Sequence, residues 1–361
     1  MVSVLVVDDS VVVRRLIVDA LSSDPGIQVV GTAPNGQIAL SKIGALKPDI
    51  ITLDIEMPVM DGLTTLRELR KVHPRLPVIM FSTLTASGAS ATLEALSAGA
   101  SDYVTKPANV GSVTESIRSV REQIIPRIHA LTGSVRPARP PAPIRRPPPA
   151  AARPAAPGGG TGTPEVIAVG CSTGGPEALT AVVKALPASF PVPIVVVQHM
   201  PQVFTKMFAD RLDRTAALTV VEATAGMALR PGTVYIAPGD YHMELERRRT
   251  DVYTRLHQGP PENFCRPAVD VLFRSVAAAY PAGVVLGVIL TGMGQDGKRG
   301  ADALRRKGAE IVAQDEATSV VWGMPGAVTQ AGLADAVLPL NEISNHLLTR
   351  VAGRRTALPR G

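Results

Sequence analysis

At 361 residues the chain is too long for one ordinary domain core, and its composition, 45% hydrophobic and 19% charged with 3% aromatic, excludes wholesale disorder and points to Val-, Ile-, Leu- and Ala-built cores. Of the +6 net charge, all but one unit sits on Arg136, Arg139, Arg145, Arg146 and Arg153, in a stretch from Thr132 to Thr163 without an acid, so neither flank is basic enough to track phosphates and no nucleic-acid partner is expected. Two cysteines cannot build a disulfide scaffold, "MVSVLVVDDS" lacks the basic start of a signal peptide, and no apolar run approaches the roughly 18 residues of a membrane span, so a cytoplasmic protein without membrane insertion is expected.

From Val2 to about Ile125, short β-branched runs ("VSVLVVDD", "QVVGTA", "DIITLDI", "PVIMFST", "SDYVTKP") alternate with stretches of helical apolar spacing. Five βα repeats predict a five-stranded parallel sheet covered on both faces, a domain over 1–125 whose final helix runs long toward the proline-rich stretch. Residues 126–163 form a Pro/Arg/Ala-rich linker: nine prolines and a "GGG" run lie between 132 and 163, with few large apolar side chains, so an extended tether is expected there. A second α/β unit spans 164–352. Its strands are "EVIAVGCS", "PIVVVQHM", "LTVVEA", "TVYIAPG", "GVVLGVILTG" and "EIVAQD", and helical segments such as "PEALTAVVKALP" and "AVDVLFRSVAAAY" lie between several of them. This pattern predicts a doubly wound, mainly parallel sheet. "YHMELERRRTDVYTRLHQ" alternates like a hairpin and is expected to add an antiparallel edge.

Open α/β sheets place their sites at the carboxyl ends of strands. In the first domain Asp8 and Asp9 end the first strand, Asp54 ends the third, Ser82 ends the fourth and Lys106 comes just after the fifth. Three carboxylates together repel one another unless a hard divalent cation such as Mg²⁺ sits among them. Lys106 offers a point charge and Ser82 a hydroxyl for a phosphoryl group, and a cis Lys106–Pro107 bond would aim the lysine. Acids at strand ends also simply cap helices, as Asp9 or Ser10 would. The joint pattern "VVDDS", "LDIEMPVMDG", "FST", "YVTKP" goes beyond that and resembles the two-component receiver domain over residues 1 to about 122. The resemblance implies Asp54 as phospho-acceptor, and Asp9 with Asp8 as Mg²⁺ ligands beside the Glu56 carbonyl. It also implies Ser82 and Lys106 as phosphoryl contacts and Tyr103 as an aromatic switch.

In the second unit "VIAVGCSTGGPEALTAVV" reads strand, glycine-rich turn, helix, with Ser172 where the helix begins. A helix N-terminus favours an oxyanion. The segment lacks the ending of a P-loop, and a plain Ser cap is the blander account. Two other strand ends deliver His199 ("IVVVQHM") and Asp296 ("VILTGMGQDG"), and Ser, His and Asp at three strand ends of one sheet can form a nucleophile, base and orienting acid. "GCSTGG" also satisfies G-x-S-x-G, whose family orders its triad Ser, acid, His; that order needs His346, in an amphipathic helix where a surface position is expected. Cys171 is expected to point into the sheet packing and Cys265 to be structural.

The blocks "GCSTGG", "QHM", "YIAPGDYHM", "RPAVDVLF", "LTGMGQDG" and "AQDEATSVVWGMPG" resemble the chemotaxis protein-glutamate methylesterase family, also glutamine deamidases, and the resemblance spans both domains. It implies Ser172 as nucleophile, His199 as base and acid, Asp296 as orienting acid, Thr173 beside the nucleophile and the Met293 N–H as oxyanion donor, with no cofactor for the esterase step. It further implies methyl-accepting chemoreceptors as substrates, a histidine kinase as phosphodonor, and a receiver that blocks the catalytic cleft until Asp54 is phosphorylated. Cys171 stands where the family often has Ala, and Cys265 where it often has His; the latter is expected to bear on substrate contacts without touching the triad. The competing readings are a receiver-controlled module that only docks on receptors, and an esterase for another ester.

Overall fold

The computed structural model describes residues 1–106, 113–133 and 162–352, and the chain divides into two compact units between Pro140 and Pro141. In the first unit strands and helices alternate: β1 (Val2–Val7), α1 (Val11–Leu21), β2 (Ile27–Ala33), α2 (Gly36–Leu46), β3 (Ile50–Asp54), α3 (Gly62–Val72), β4 (Val78–Ser82), α4 (Ala86–Ser97), β5 (Asp102–Thr105) and α5 (Val113–Leu131). The five strands pair in parallel in the order β2-β1-β3-β4-β5, so the strand order reverses between β1 and β3. Every residue of β3 and β4 is buried, as expected of strands covered on both faces.

The helices start where the sequence supplies caps. Ser10, Asn35, Asp61 and Thr85 each accept a first-turn N–H of α1, α2, α3 and α4. Gly62, at the start of α3, is dictated by closeness: a Cβ there would lie 2.0 Å from the Asp54 carbonyl oxygen. The last helix continues past the expected domain end. It passes through Pro126 to Leu131, six residues into the span read as linker, because Ile124 and Ile128 are buried in the core. Polar contacts hold the same stretch: Arg127 Nε donates to Asp102 (3.0 Å), and His129 Nε2 meets Asp24 (2.8 Å). Residues 134–161 of the span read as linker lie outside the described residues, as does Pro107 with its suggested cis bond.

The second unit contains β6 (Val166–Cys171), α6 (Gly175–Lys184), β7 (Ile194–Gln198), α7 (Gln202–Asp213), β8 (Thr219–Glu222), β9 (Thr233–Ile236), β10 (His242–Arg248) and β11 (Asp251–His257). It continues with α8 (Val269–Ala279), β12 (Val285–Ile289), α9 (Lys298–Arg306), β13 (Glu310–Gln314), α10 (Met324–Gln330), β14 (Ala336–Leu338) and α11 (Leu340–Val351). Seven strands form a parallel sheet in the order β14-β13-β12-β6-β7-β9-β8. The chain runs outward from β6 in one direction and returns to add β12 on its other side, which opens a crevice at the carboxyl ends of β6 and β12. The predicted hairpin forms, β10 against β11, but it does not edge this sheet. It packs on α8 instead, with the Leu245 N–H donating to Ser275 Oγ (3.0 Å) and Arg247 Nε to the Ala279 carbonyl (2.6 Å).

Candidate functional sites

At the β1/β3 reversal, carboxylate oxygens of Asp8, Asp9 and Asp54 lie within 4.8 Å of one another. Asp8 and Asp54 are buried and Asp9 is exposed. Lys106 Nζ reaches both buried acids, 3.1 Å from Asp8 Oδ2 and 2.7 Å from Asp54 Oδ2, and apart from that ammonium neither oxygen has a hydrogen-bond partner. Burial pushes the Asp54 carboxyl up to about 6, and the Asp8 charge adds to it against the opposing pull of Lys106. Burial likewise raises Asp8, with Lys106 opposing. Lys106 moves above its ordinary range, because the two acids outweigh its own burial. One lysine therefore leaves two buried acids under-compensated, and a hard all-oxygen donor set with orphaned oxygens fits a hard divalent cation. Glu56 has an exposed side chain and stands outside the carboxylate group. Ser82 is buried, and its hydroxyl donates to the carbonyls of Gly88 (3.1 Å) and Thr83 (3.2 Å), so it is engaged with the start of α4 and not with Asp54. Tyr103 is buried, and burial raises its hydroxyl pKa.

The crevice of the second unit gathers the other predicted group. Ser172 comes directly after β6, His199 directly after β7, and Asp296 lies on the loop after β12. His199 Nε2 sits 2.8 Å from Asp296 Oδ2. Asp296 also accepts the N–H groups of Val269 (2.7 Å), Asp270 (3.0 Å) and Gly297 (3.0 Å) and the amide of Asn263 (2.8 Å). Burial alone would raise its pKa; His199 and these backbone donors outweigh burial and hold the carboxyl below its ordinary range. Burial works against a charge on His199, yet Asp296 and Cys265 outweigh it and raise the imidazole pKa.

This geometry corrects two expectations. Cys265 does touch the triad: its Sγ lies 3.6 Å from His199 Nδ1, the nitrogen that faces away from Asp296. His346 is half-buried and meets Glu310 Oε1 at 2.6 Å, at the amino end of β13, so the Ser, acid, His order is not the one built here. Cys171 packs into the sheet as expected, fully buried with Sγ on the Val197 carbonyl (3.7 Å), and burial raises its pKa.

Among the described residues the Ser172 hydroxyl makes no hydrogen bond to His199; the two are tied through Gln198. The buried Gln198 amide donates to the carbonyls of both Ser172 and His199, each at 3.1 Å. The turn after Ser172 needs its glycines: Gly174 has φ 75°, and a Cβ on Gly175 would lie 2.1 Å from Gln198 Oε1. Thr173 is buried, and its carbonyl accepts the Thr291 hydroxyl (2.9 Å), which fixes the turn to the Thr291–Asp296 loop. On that loop the Met293 N–H donates no hydrogen bond among the described residues. Sequence reasoning misses three supports: Gln198, Asn263 and Asp270. Asn263 donates both to Asp296 Oδ1 (2.8 Å) and to Asp270 Oδ2 (2.9 Å), and Asp270 Oδ1 accepts the Gly300 N–H (2.6 Å).

Fold and sites together define a receiver-bearing α/β hydrolytic enzyme. Residues 4–118 match the response regulator receiver domain, and residues 167–347 match the CheB methylesterase family. A protein-glutamate methylesterase/protein-glutamine glutaminase from Nocardioides sp. is 55% identical over 99% of this chain and 97% of its own length. A protein of the same description from Trichodesmium erythraeum is 49% identical over 96% and 98%. The crystal structure of the Thermotoga maritima CheB methylesterase catalytic domain superposes with a TM-score of 0.51 at 45% identity, covering 52% of this chain and 99% of that one. The chain belongs to the protein-glutamate methylesterase/protein-glutamine glutaminase family that carries an amino-terminal receiver domain.

Proposed function

We infer that the protein hydrolyses glutamyl methyl esters of chemoreceptors, and deamidates receptor glutamines, under control of its receiver domain. The observation that carries the chemistry is the 2.8 Å contact of His199 with a donor-saturated Asp296 beside the Ser172 turn. Ser172 Oγ adds to the ester carbonyl while its proton passes to His199, at the Nδ1 left open by the Asp296 contact. The oxyanion forms near the Met293 N–H and the amino end of α6. His199 returns the proton to the departing methoxide and methanol leaves. Water, deprotonated by His199, then cleaves the acyl-serine to give the glutamate side chain and restore Ser172. An amide takes the same path and releases ammonia. Cys265 must yield Nδ1 for the first transfer, and active-site contacts of this kind commonly rearrange when substrate arrives.

At the other site Asp54 accepts the phosphoryl group, with a histidine kinase as donor. Asp8, Asp9 and Asp54 would hold Mg²⁺, which when bound offsets the charge of the phosphoryl oxygens. Lys106 pairs with the product phosphate. Phosphorylation adds charge beside Lys106 and shifts the balance between a restrained and an active hydrolase by differential stability. The units so assigned are a receiver ending with α5 and a hydrolase over 164–352. Methanol release from methylated receptor membranes tests the reading. Ser172→Ala is expected to abolish it; retained turnover refutes Ser172, and turnover of small esters without receptor demethylation points to an esterase for a different substrate.

A further inference from the structure

The loop beside His199 and Asp296 holds a residue that hydrolysis itself does not use. Glu262 and Cys265 exchange backbone hydrogen bonds (3.1 and 2.9 Å) across a two-residue turn, and the residues between them, Asn263 and Phe264, have φ of 52° and 63°. Such turns are normally filled by Gly, Asn or Asp. Asn263 suits its place; a bulky aromatic at positive φ is strained. No packing compensates, since Phe264 is 103% exposed while Phe190, Phe204, Phe208 and Phe273 of the same unit are buried.

The turn is nonetheless firmly held. The Arg274 guanidinium grips the Glu262 carboxylate with bonds of 2.7 and 2.6 Å, and the Asn263 amide bridges Asp270 and Asp296. A strained backbone pinned on both sides thus presents an aromatic ring to solvent, one residue from the thiol that meets His199. A second observation agrees. Val320 is exposed yet lies against Gly174, where a Cβ would come within 2.6 Å of it, and Gly174 is two residues from Ser172. Val203, also exposed, is the second residue of α7, four residues after His199.

We propose that Phe264 is a specificity-determining residue which, with Val320, receives an apolar side chain of the receptor segment flanking the modified glutamate. This rests on the receptor-demethylase reading above. The fixed turn lets the aromatic contact form without ordering cost and places the ester against Ser172. The test uses the full chain with Phe264→Gly, which suits a positive φ, and Phe264→Leu, which keeps apolar area. Demethylation of methylated receptor membranes is compared with hydrolysis of p-nitrophenyl acetate. Phe264→Gly is expected to raise KM for receptor by roughly tenfold, the scale of one buried aromatic contact, with kcat nearly unchanged. Phe264→Leu should recover much of that loss, and turnover of the small ester should match wild type in both. Receptor KM unchanged in Phe264→Gly overturns the proposal, and so does an equal loss on both substrates, which would make the turn a mere support for Asp296. A wild-type chain that turns over the small ester but not receptors overturns the underlying reading and this proposal with it.

Discussion

Each unit ends its strands in buried aspartates, and the two sites treat them in opposite ways. Asp296 is saturated, with three backbone N–H groups, the Asn263 amide and the His199 imidazole directed at it, and its pKa falls. Asp8 and Asp54 share one ammonium, keep under-satisfied oxygens, and their pKa values rise. Burial penalises the charge in both places, so the donors decide the sign. On the proposed reading the hydrolase acid, complete within the protein, holds and polarises a base. The receiver acids would be completed by a cation and a phosphoryl group, which would let that site respond to a signal.

The sharpest way to break this contrast is Asp296→Asn. An amide cannot accept all five donors, and it turns an N–H₂ toward at least one of them, so His199 loses its fixed tautomer. Loss of kcat/KM for receptor demethylation of roughly 10³- to 10⁴-fold is expected, on the scale seen when a triad acid is made an amide. Stability should fall by about 1–3 kcal/mol, since a buried N–H is left unpaired; denaturant unfolding measures it, and an unchanged midpoint would show that the donor shell holds no strain in place.

Asp54→Asn attacks the other side and should act in the opposite direction on stability. Asp54 has a folded pKa of about 6, above its ordinary value, so the folded state binds the proton more tightly. Stability contributed by this group is therefore present at low pH and lost as pH rises through about 6. Near neutral pH the Asn variant is expected to unfold at a higher temperature than wild type. Wild type, but far less the variant, should gain stability on adding Mg²⁺, by mass action on the folded state. Basal demethylation should persist in the variant while stimulation by a small phosphodonor disappears; surviving stimulation would remove Asp54 from the acceptor role.

The sequence is legible where one residue type at one strand end carries the chemistry. Asp8, Asp54, Lys106, Ser172 and His199 stand at or just past such ends, Asp296 follows on the loop after β12, and the alternation of apolar runs places every central strand. It is less legible where support comes from between elements. Gln198 ends β7, and its contribution depends on the side chain spanning two backbones, which strand periodicity does not show. Asn263 sits in a turn whose reach to Asp270 and Asp296 no periodicity encodes. The hairpin is visible from its alternation, but its partner is not, because period-two patterning names a buried face without naming what buries it. The end of α5, by contrast, is legible: helical apolar spacing runs on through Pro126 to Leu131, and burial of Ile128 carries the helix that far.

Cys265 gives the smallest expected effect and separates the two sites most finely, because it concerns only how strongly a proton is held. Burial opposes a charge on His199, and Asp296 and then Cys265 outweigh it. A base must be neutral to take the Ser172 proton, so demethylation should rise with pH through a limb that lies above the ordinary imidazole range of about 6.5. Cys265→Ala removes one of the contributions that raise the imidazole and frees Nδ1, so the limb should move to lower pH and neutral-pH turnover should increase a few-fold. Cys265→Ser retains a hydroxyl near Nδ1 and should fall between the two. The pH profile of kcat/KM on receptor membranes distinguishes this from a packing role, which would lower turnover equally at every pH and leave the limb where it was. A limb that stays put in both variants would mean that the 3.6 Å thiol contact does not tune the base, and that the donor-saturated Asp296 alone sets the proton affinity of His199.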